Sequence, residues 1–365
     1  MEKKKLKKML QVILFNLIVL LLIFFTFEIF LRGFSSPIYG FQEGVFVYDE
    51  ATGYRLSTNY SGVQSIYGKN YLIEINEKGL RDSRDYPYKK QDHVYRIVVL
   101  GDSFSFGNGV ELNESYVEYL RENFNEDNVE IINLGVPGYG VNNQYVYFLE
   151  EGLKYDPDIV MIQYCTNDWG THSINTKDNK IIVDYNNSFV ADENGFLIDY
   201  LSNSPIRSIH LFMLRNLRSY SFIYTKSRNS LSRVVKVLRG GSDVPPPFLR
   251  ERDSLEYQEN YEGYYKLLSS LKDNADAEVV IFAGPQPEDI WDKEKIKSQF
   301  DMKIVPDIRQ TQKDLEYASE ELNLYFINLE SYDEDIFIEI DGHWNAKGNK
   351  LVADTLYDEL NGILF

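Results

Sequence analysis

The 365-residue chain is predicted to fold as a three-layer α/β/α domain on a parallel sheet, preceded by one N-terminal transmembrane helix. Three observations predict it. From Tyr95 onward, short β-branched apolar runs alternate with stretches of helical periodicity. Those runs are apolar throughout rather than at every second residue, as strands covered on both faces are. Five lysines among the first eight residues stand before an apolar run, Met9–Phe27.

Taken in order, residues 1–8 form a basic tail and residues 9–32 the anchor. Met9–Phe27 carries only Gln11, Asn16 and Thr26 as polar side chains, and a helix of that length crosses a hydrocarbon core of ~30 Å. Lysines precede it and only Arg32 closely follows, so the positive-inside rule leaves the N-terminus in the cytoplasm and the rest outside. No A-x-A-like site follows the run, so an uncleaved anchor is expected rather than a signal peptide. Glu28 is expected to reach water at the outer interface.

Residues 35–94 read as a strand-containing extension rich in Tyr, Gly and Asn. Strand-like pieces fall at Gly44–Tyr48 and Asn70–Ile75, followed by the pattern I-N-x-K-G-x-R-D from Ile75 to Asp82. The main domain, 95–365, has strands expected at Tyr95–Leu100, Val129–Asn133, Ile159–Tyr164, Glu278–Phe282 and Tyr325–Asn328. Amphipathic helices are expected near Glu114–Phe124, Asn142–Leu153, Leu255–Leu271, Arg309–Leu322 and Ala346–Leu360. An inserted segment, 170–253, is too long for an ordinary loop. Within it, Asn175–Leu201 reads as a small hairpin turning at Glu193-Asn194-Gly195. Pro205–Gly240 follows with eight Arg or Lys and no acidic residue. That stretch reads as a helical cap with a solvated basic face, or as a patch for lipid headgroups or an anionic substrate.

A net charge of −18 argues against a nucleic-acid partner, because neutralising phosphates takes Lys and Arg. One cysteine, Cys165, leaves no disulfide framework and reads as a buried structural thiol. No cofactor is expected. The glycines of Asn133–Gly140 run G-x-x-G-x-G, and Gly107-x-Gly109 meets Leu112 where a dinucleotide fingerprint needs a third glycine. No metal is expected either, since no second His or Cys is spaced to complete a site with His343.

Four blocks carry candidate chemistry. Gly101-Asp102-Ser103 ends the first strand of the main domain, where open α/β sheets place their reacting groups; Ser103 is a candidate nucleophile or a helix cap. Gly135, in the turn after the second strand, can aim its N–H at an oxyanion or simply form a tight turn. Asn167, after the third strand, offers a side-chain amide donor or an Asx-turn. Asp341-Gly342-His343 places a carboxylate where it can orient an imidazole as general base, or forms a surface turn. Together they suit acyl transfer through a covalent acyl-enzyme.

Gly101-Asp102-Ser103-Phe104, Gly135, Asn167-Asp168 and Asp341-x-His343 stand in the order of the four blocks of the SGNH (GDSL-type) hydrolase superfamily, which the chain resembles from Tyr95 to its C-terminus. The anchor and the I-N-x-K-G-x-R-D pattern resemble a membrane-anchored bacterial subgroup. The resemblance implies a flavodoxin-like parallel sheet, Ser103 as nucleophile, His343 as base and Asp341 as its orienting partner. It also implies an oxyanion hole formed by the N–H groups of Ser103 and Gly135 with the Asn167 amide, and Asp102 and Asp168 as braces of their turns. The family's usual last block is D-x-x-H; here position 340 is Ile and Asp341 stands two residues before His343. The D-x-H-W form resembles that of alginate-type polysaccharide O-acetyltransferases.

The expected function is a membrane-anchored, extracytoplasmic serine esterase acting on O-acyl, foremost O-acetyl, esters of cell-envelope or exported polysaccharide. One alternative is a polysaccharide O-acyltransferase with the same triad and an acyl-supplying membrane partner. Another is a non-catalytic glycan-binding or assembly subunit.

Overall fold

The apolar runs assemble into one five-stranded parallel sheet. In the computed structural model its strands are β5 (Tyr95–Leu100), β6 (Val129–Asn133), β7 (Ile159–Tyr164), β12 (Glu278–Ala283) and β13 (Tyr325–Asn328). Their spatial order is β13-β12-β7-β5-β6, every neighbouring pair parallel. The structure describes residues 2–34, 44–66, 69–124, 128–169, 245–290, 292–300, 304–329, 334–338 and 341–364, with residue 302 and short pieces between 175 and 220.

Alternate strand residues face opposite sides of the sheet. Ile97, Val99, Ile131 and Met161 enter a core with Tyr116, Val117 and Leu120 of α3 (Tyr116–Asn123) and Val352, Leu356 and Leu360 of α8 (Ala346–Leu364). Val98, Val160, Ile162 and Ile281 are also fully buried. α4 (Val141–Glu150) packs by β5, α5 (Leu255–Asn274) by β12 and α7 (Gln310–Leu322) by β13, and α6 (Lys293–Phe300) precedes α7. The chain leaves β5 toward β6 and then returns to β7 on the other side of β5. The crevice outside the carboxyl ends of β5 and β7 is therefore the topological switch point, where such sheets bind ligands.

The extension contributes two small antiparallel pairs, β1 (Phe46–Asp49) with β2 (Gly53–Leu56), and β3 (Ser61–Ile66) with β4 (Lys69–Glu74). Its last residues are bound to the main domain. Arg84 forks onto Glu118 of α3 with both contacts at 2.9 Å, and buried Asp82 accepts from Arg121 at 2.5 Å. In the insert, β8 (Asn175–Lys177) pairs with β9 (Lys180–Ile182), and β10 (Phe189–Ala191) with β11 (Leu197–Asp199). Two short pairs thus replace the single hairpin expected over Asn175–Leu201. The Glu193–Gly195 turn and nearly all of Pro205–Gly240 lie outside the described residues.

The described residues fall into two compact units, one holding the sheet and the other holding α1 (Glu2–Phe34). α1 is a continuous helix of 33 residues, about 50 Å long at 1.5 Å per residue, and is long and apolar enough to cross a membrane. Glu28 departs from expectation. It is 5% exposed, because Ser219 donates to its Oε2 through both its N–H (2.8 Å) and its Oγ–H (2.7 Å), while Arg32 Nε reaches Oε1 at 2.8 Å. A carboxylate can leave water only when such donors replace it.

Candidate active site

Ser103 opens α2 (Ser103–Phe106), a single helical turn directly beyond β5. Asp102 caps it, Oδ1 accepting from the Phe104 N–H at 2.9 Å. Serine does not make the cap itself, so its hydroxyl is left to other partners. The Ser103 Oγ lies 2.7 Å from His343 Nε2, and the opposite ring nitrogen of His343, Nδ1, meets Asp341 Oδ2. A carboxylate only accepts, so the proton sits on Nδ1, and Nε2 is the acceptor that faces the Ser103 hydroxyl. Residues 240 positions apart are joined in one hydrogen-bonded chain.

The short Asp-x-His spacing works because of the turn that carries it. Gly342 has φ +83°, a left-handed conformation that a Cβ would strain, and it reverses the chain enough for Asp341 to reach Nδ1. The Gly342 N–H donates to Ile338 O at 2.9 Å, and the His343 carbonyl accepts from the Ile338 N–H at 2.8 Å. Trp344, fully buried, donates from Nε1 to Pro285 O at 2.8 Å. The Phe104 ring packs 4.9 Å from the His343 ring and 4.6 Å from Trp344. The imidazole is thus held by packing as well as by Asp341.

The expected oxyanion donors divide. The Ser103 N–H has no acceptor among the described residues. Asn167, exposed in the 3₁₀ turn Thr166–Asp168 after β7, spends one amide hydrogen on Asp102 Oδ2 at 3.0 Å; its second amide hydrogen remains for a ligand. Gly135 is the third expected donor. Its N–H donates to Asn133 Oδ1 at 2.9 Å, so it is engaged within its own strand-end turn. The reason for glycine there is close approach: a Cβ would lie 2.7 Å from Phe106 N and from Ser105 Cβ. Gly135 lets the second strand's turn press against α2, and Asn133 Nδ2 completes the join by donating to Ser105 O at 2.6 Å.

Asp102 and Asp168 are both buried behind these groups. Burial pushes the Asp102 carboxyl upward, opposed by the Phe104 N–H, the Asn167 amide and His343. Burial and then the Asp102 charge hold Asp168 well above the ordinary carboxylate range, opposed by the Cys165 N–H. Cys165 is free and buried, its thiol likewise pushed up by burial. Gln286, which no sequence pattern marked, holds this turn: its Oε1 accepts from Cys165 Sγ at 3.2 Å and from the Thr166 N–H at 3.3 Å. Of the other histidines, His172 and His210 lie outside the described residues. Among the described residues no cluster of three His, Cys, Asp or Glu side chains is spaced to hold a metal ion.

A pH-dependent stability follows from Asp168. Its folded pKa lies above the unfolded value of 3.8, so the folded state binds more protons between the two, and stability falls as pH rises through that window. Asp168→Asn keeps an acceptor for the Cys165 N–H. It also turns an –NH2 toward Gln144, whose buried Oε1 has no partner among the described residues and can flip to accept it. The variant is expected to melt about 2 °C or more above wild type at pH 7.5, with the gap closing near pH 4. A gap that is the same at both pH values would refute the assignment; differential scanning calorimetry reads it.

The GDSL-like Lipase/Acylhydrolase family matches residues 99–357. Among solved structures, a lipase/acylhydrolase from Enterococcus faecalis is 15% identical and covers 74% of this chain and 98% of its own, with a TM-score of 0.40. A psychrotrophic esterase from Pseudoalteromonas sp. is 14% identical over 74% of this chain and 98% of its own, with a TM-score of 0.39. A catalytic mutant of an acetylxylan esterase from Geobacillus stearothermophilus is 13% identical over 74% and 96%, also at 0.39. No curated protein matches the chain.

Proposed function

The chain belongs to the GDSL-like lipase/acylhydrolase family and is an ester-hydrolysing enzyme, and from that premise we propose that it is a membrane-anchored serine esterase working outside the cytoplasm through Ser103, His343 and Asp341. The observation that carries this reading is the 2.7 Å contact between Ser103 Oγ and His343 Nε2, continued through Nδ1 to Asp341. Nε2 takes the proton as Ser103 Oγ attacks the ester carbonyl, and Asp341 stabilises the imidazolium that forms. The Ser103 N–H and the free amide hydrogen of Asn167 stabilise the developing oxyanion. Imidazolium then protonates the leaving alcohol, and water, deprotonated by the same Nε2, releases the acid.

Topology follows from the five lysines at the start of α1, ahead of its apolar run, which retain the N-terminus in the cytoplasm and send the catalytic domain outward. An enzyme tethered there meets envelope and exported polysaccharide, and O-acetyl groups on those chains are the substrate we propose. The test is hydrolysis of nitrophenyl acetate and of an acetylated oligosaccharide by the full chain in detergent. Acetate release from both supports the esterase. Release that appears only when an unacetylated sugar acceptor is added assigns the protein to acyl transfer instead. Protease added to intact spheroplasts is expected to digest the catalytic domain and spare an N-terminal tag; the reverse pattern overturns the topology.

Asn167→Ala is expected to lower kcat by about 10²–10³-fold, the effect typical of one oxyanion donor, with KM little changed. The substitution also takes a donor from buried Asp102, so kcat is read per folded molecule. Near-normal kcat would remove Asn167 from the oxyanion hole.

A further inference from the structure

Arg81 is a buried cation, 1% exposed, with no ion-pair partner among the described residues. It belongs to the I-N-x-K-G-x-R-D pattern, whose turn is closed by Asn76: Oδ1 accepts from the N–H groups of Lys78 and Leu80 at 3.0 Å, and Nδ2 donates to Arg84 O at 2.7 Å. Both terminal nitrogens of the guanidinium spend their donors on main-chain carbonyls. Nη1 reaches Phe106 O at 2.9 Å and Gly107 O at 2.6 Å; Nη2 reaches Val110 O at 2.8 Å and Leu72 O at 3.0 Å. Three of those four carbonyls belong to the last residue of α2, the helical turn carrying Ser103, and to the loop that follows it. The rings of Tyr71 and Phe106 lie 5.4 and 4.9 Å from the guanidinium carbon.

The neighbouring strand grips the same loop. Tyr71 OH donates to Asn108 Oδ1 at 2.7 Å, and the Leu72 N–H donates to Glu111 Oε2 at 3.1 Å. Burial pushes the Tyr71 hydroxyl up, opposed by the charge of Arg81 and by the backbone of Gly109 in the same loop. Residues 106–111 are therefore stitched on one side to α2 and on the other to β4 and Arg81. A loop closing a four-residue helix has little hydrogen bonding of its own, and burial of its carbonyls without donors would be unfavourable. Only arginine offers five donors in a rigid planar fork; lysine presents three from a single point. Burial pulls Arg81 down to about 10, so it stays charged at neutral pH.

We propose that Arg81, assisted by Tyr71, is a positioning residue that sets the placement of the Ser103 Oγ against His343 by clamping the loop behind the nucleophile's helical turn. The extension thereby becomes part of the catalytic apparatus rather than a spacer between anchor and enzyme. This inference rests on Ser103 as nucleophile. Its consequence is kinetic: a small displacement of the nucleophile lowers kcat and the rate of acylation without altering how substrate is held.

The experiment compares the full-length wild type with Arg81→Lys, Tyr71→Phe and Ser103→Ala in detergent, with folded protein counted by near-UV circular dichroism and melting. Arg81→Lys is expected to lower kcat per folded molecule by roughly 10-fold or more and to slow labelling by a serine-directed phosphonate in parallel, with KM within about three-fold. Tyr71→Phe, which removes one hydroxyl without changing volume, is expected to show the same split at smaller amplitude. A role confined to stability would lower the melting temperature and leave kcat per folded molecule unchanged in the variant that folds. That outcome overturns the proposal, as does an unchanged kcat in Tyr71→Phe should Arg81→Lys fail to accumulate. An active Ser103→Ala protein would instead refute the reading of the site, a result separable from either variant.

Discussion

Ser103→Ala is expected to abolish turnover of nitrophenyl acetate and labelling by a serine-directed phosphonate, with a loss of roughly 10⁶-fold in kcat, as for removal of an activated serine nucleophile. The amplitude is large because no neighbouring group can substitute. Cys165 is the one thiol in the chain, and burial holds it well above the ordinary range, leaving almost no thiolate at neutral pH. The fold should not suffer. Among the described residues Ser103 Oγ bonds only His343 Nε2, and the cap of α2 belongs to Asp102. Unchanged melting with lost activity is the expected pair of results; retained activity would remove Ser103 from the mechanism.

Asp341→Asn should lower kcat by about 10⁴-fold. The carboxylate accepts the Nδ1 proton and so presents Nε2 as an acceptor to Ser103. An amide at that position can instead donate to Nδ1, which moves the ring proton to Nε2 and leaves Ser103 without a base. The imidazolium formed during attack also loses its counter-charge. Asp341 is only partly buried, so the substitution is expected to leave the melting temperature close to wild type. A rate within a few-fold of wild type would show that another group orients His343. The Asp-x-His spacing makes this the sharpest test of the site, since it depends on the left-handed Gly342.

Most of the sheet was legible in the chain itself. The predicted bounds of Tyr95–Leu100, Val129–Asn133, Ile159–Tyr164 and Tyr325–Asn328 are those observed, and Glu278–Ala283 differs by one residue. Strands buried on both faces must be apolar throughout, and polar residues mark their ends. Lys293–Phe300 was not legible as a helix, because the sequence KEKIKSQF carries almost no apolar stripe. Gly53–Leu56 and Ser61–Ile66 were equally silent, being short strands whose pairing depends on turns. The extension read as a preface because Arg81 and Tyr71 act on residues 25 to 40 positions further along, beyond any local pattern.

The sequence by itself determined the alternation of strands and helices, the apolar N-terminal helix and the order of the blocks around Ser103, Gly135, Asn167 and His343. These are local properties, set by side-chain polarity over a few residues. Only the tertiary structure decided how the polar groups of those blocks are spent. It engaged the Gly135 N–H with Asn133, tied Asn167 to Asp102, buried Glu28 under Ser219 and turned Arg81 onto the loop behind Ser103. The physical reason is that a hydrogen bond depends on the position of both partners to within a few tenths of an ångström, and partners from different segments acquire those positions only when the chain is packed.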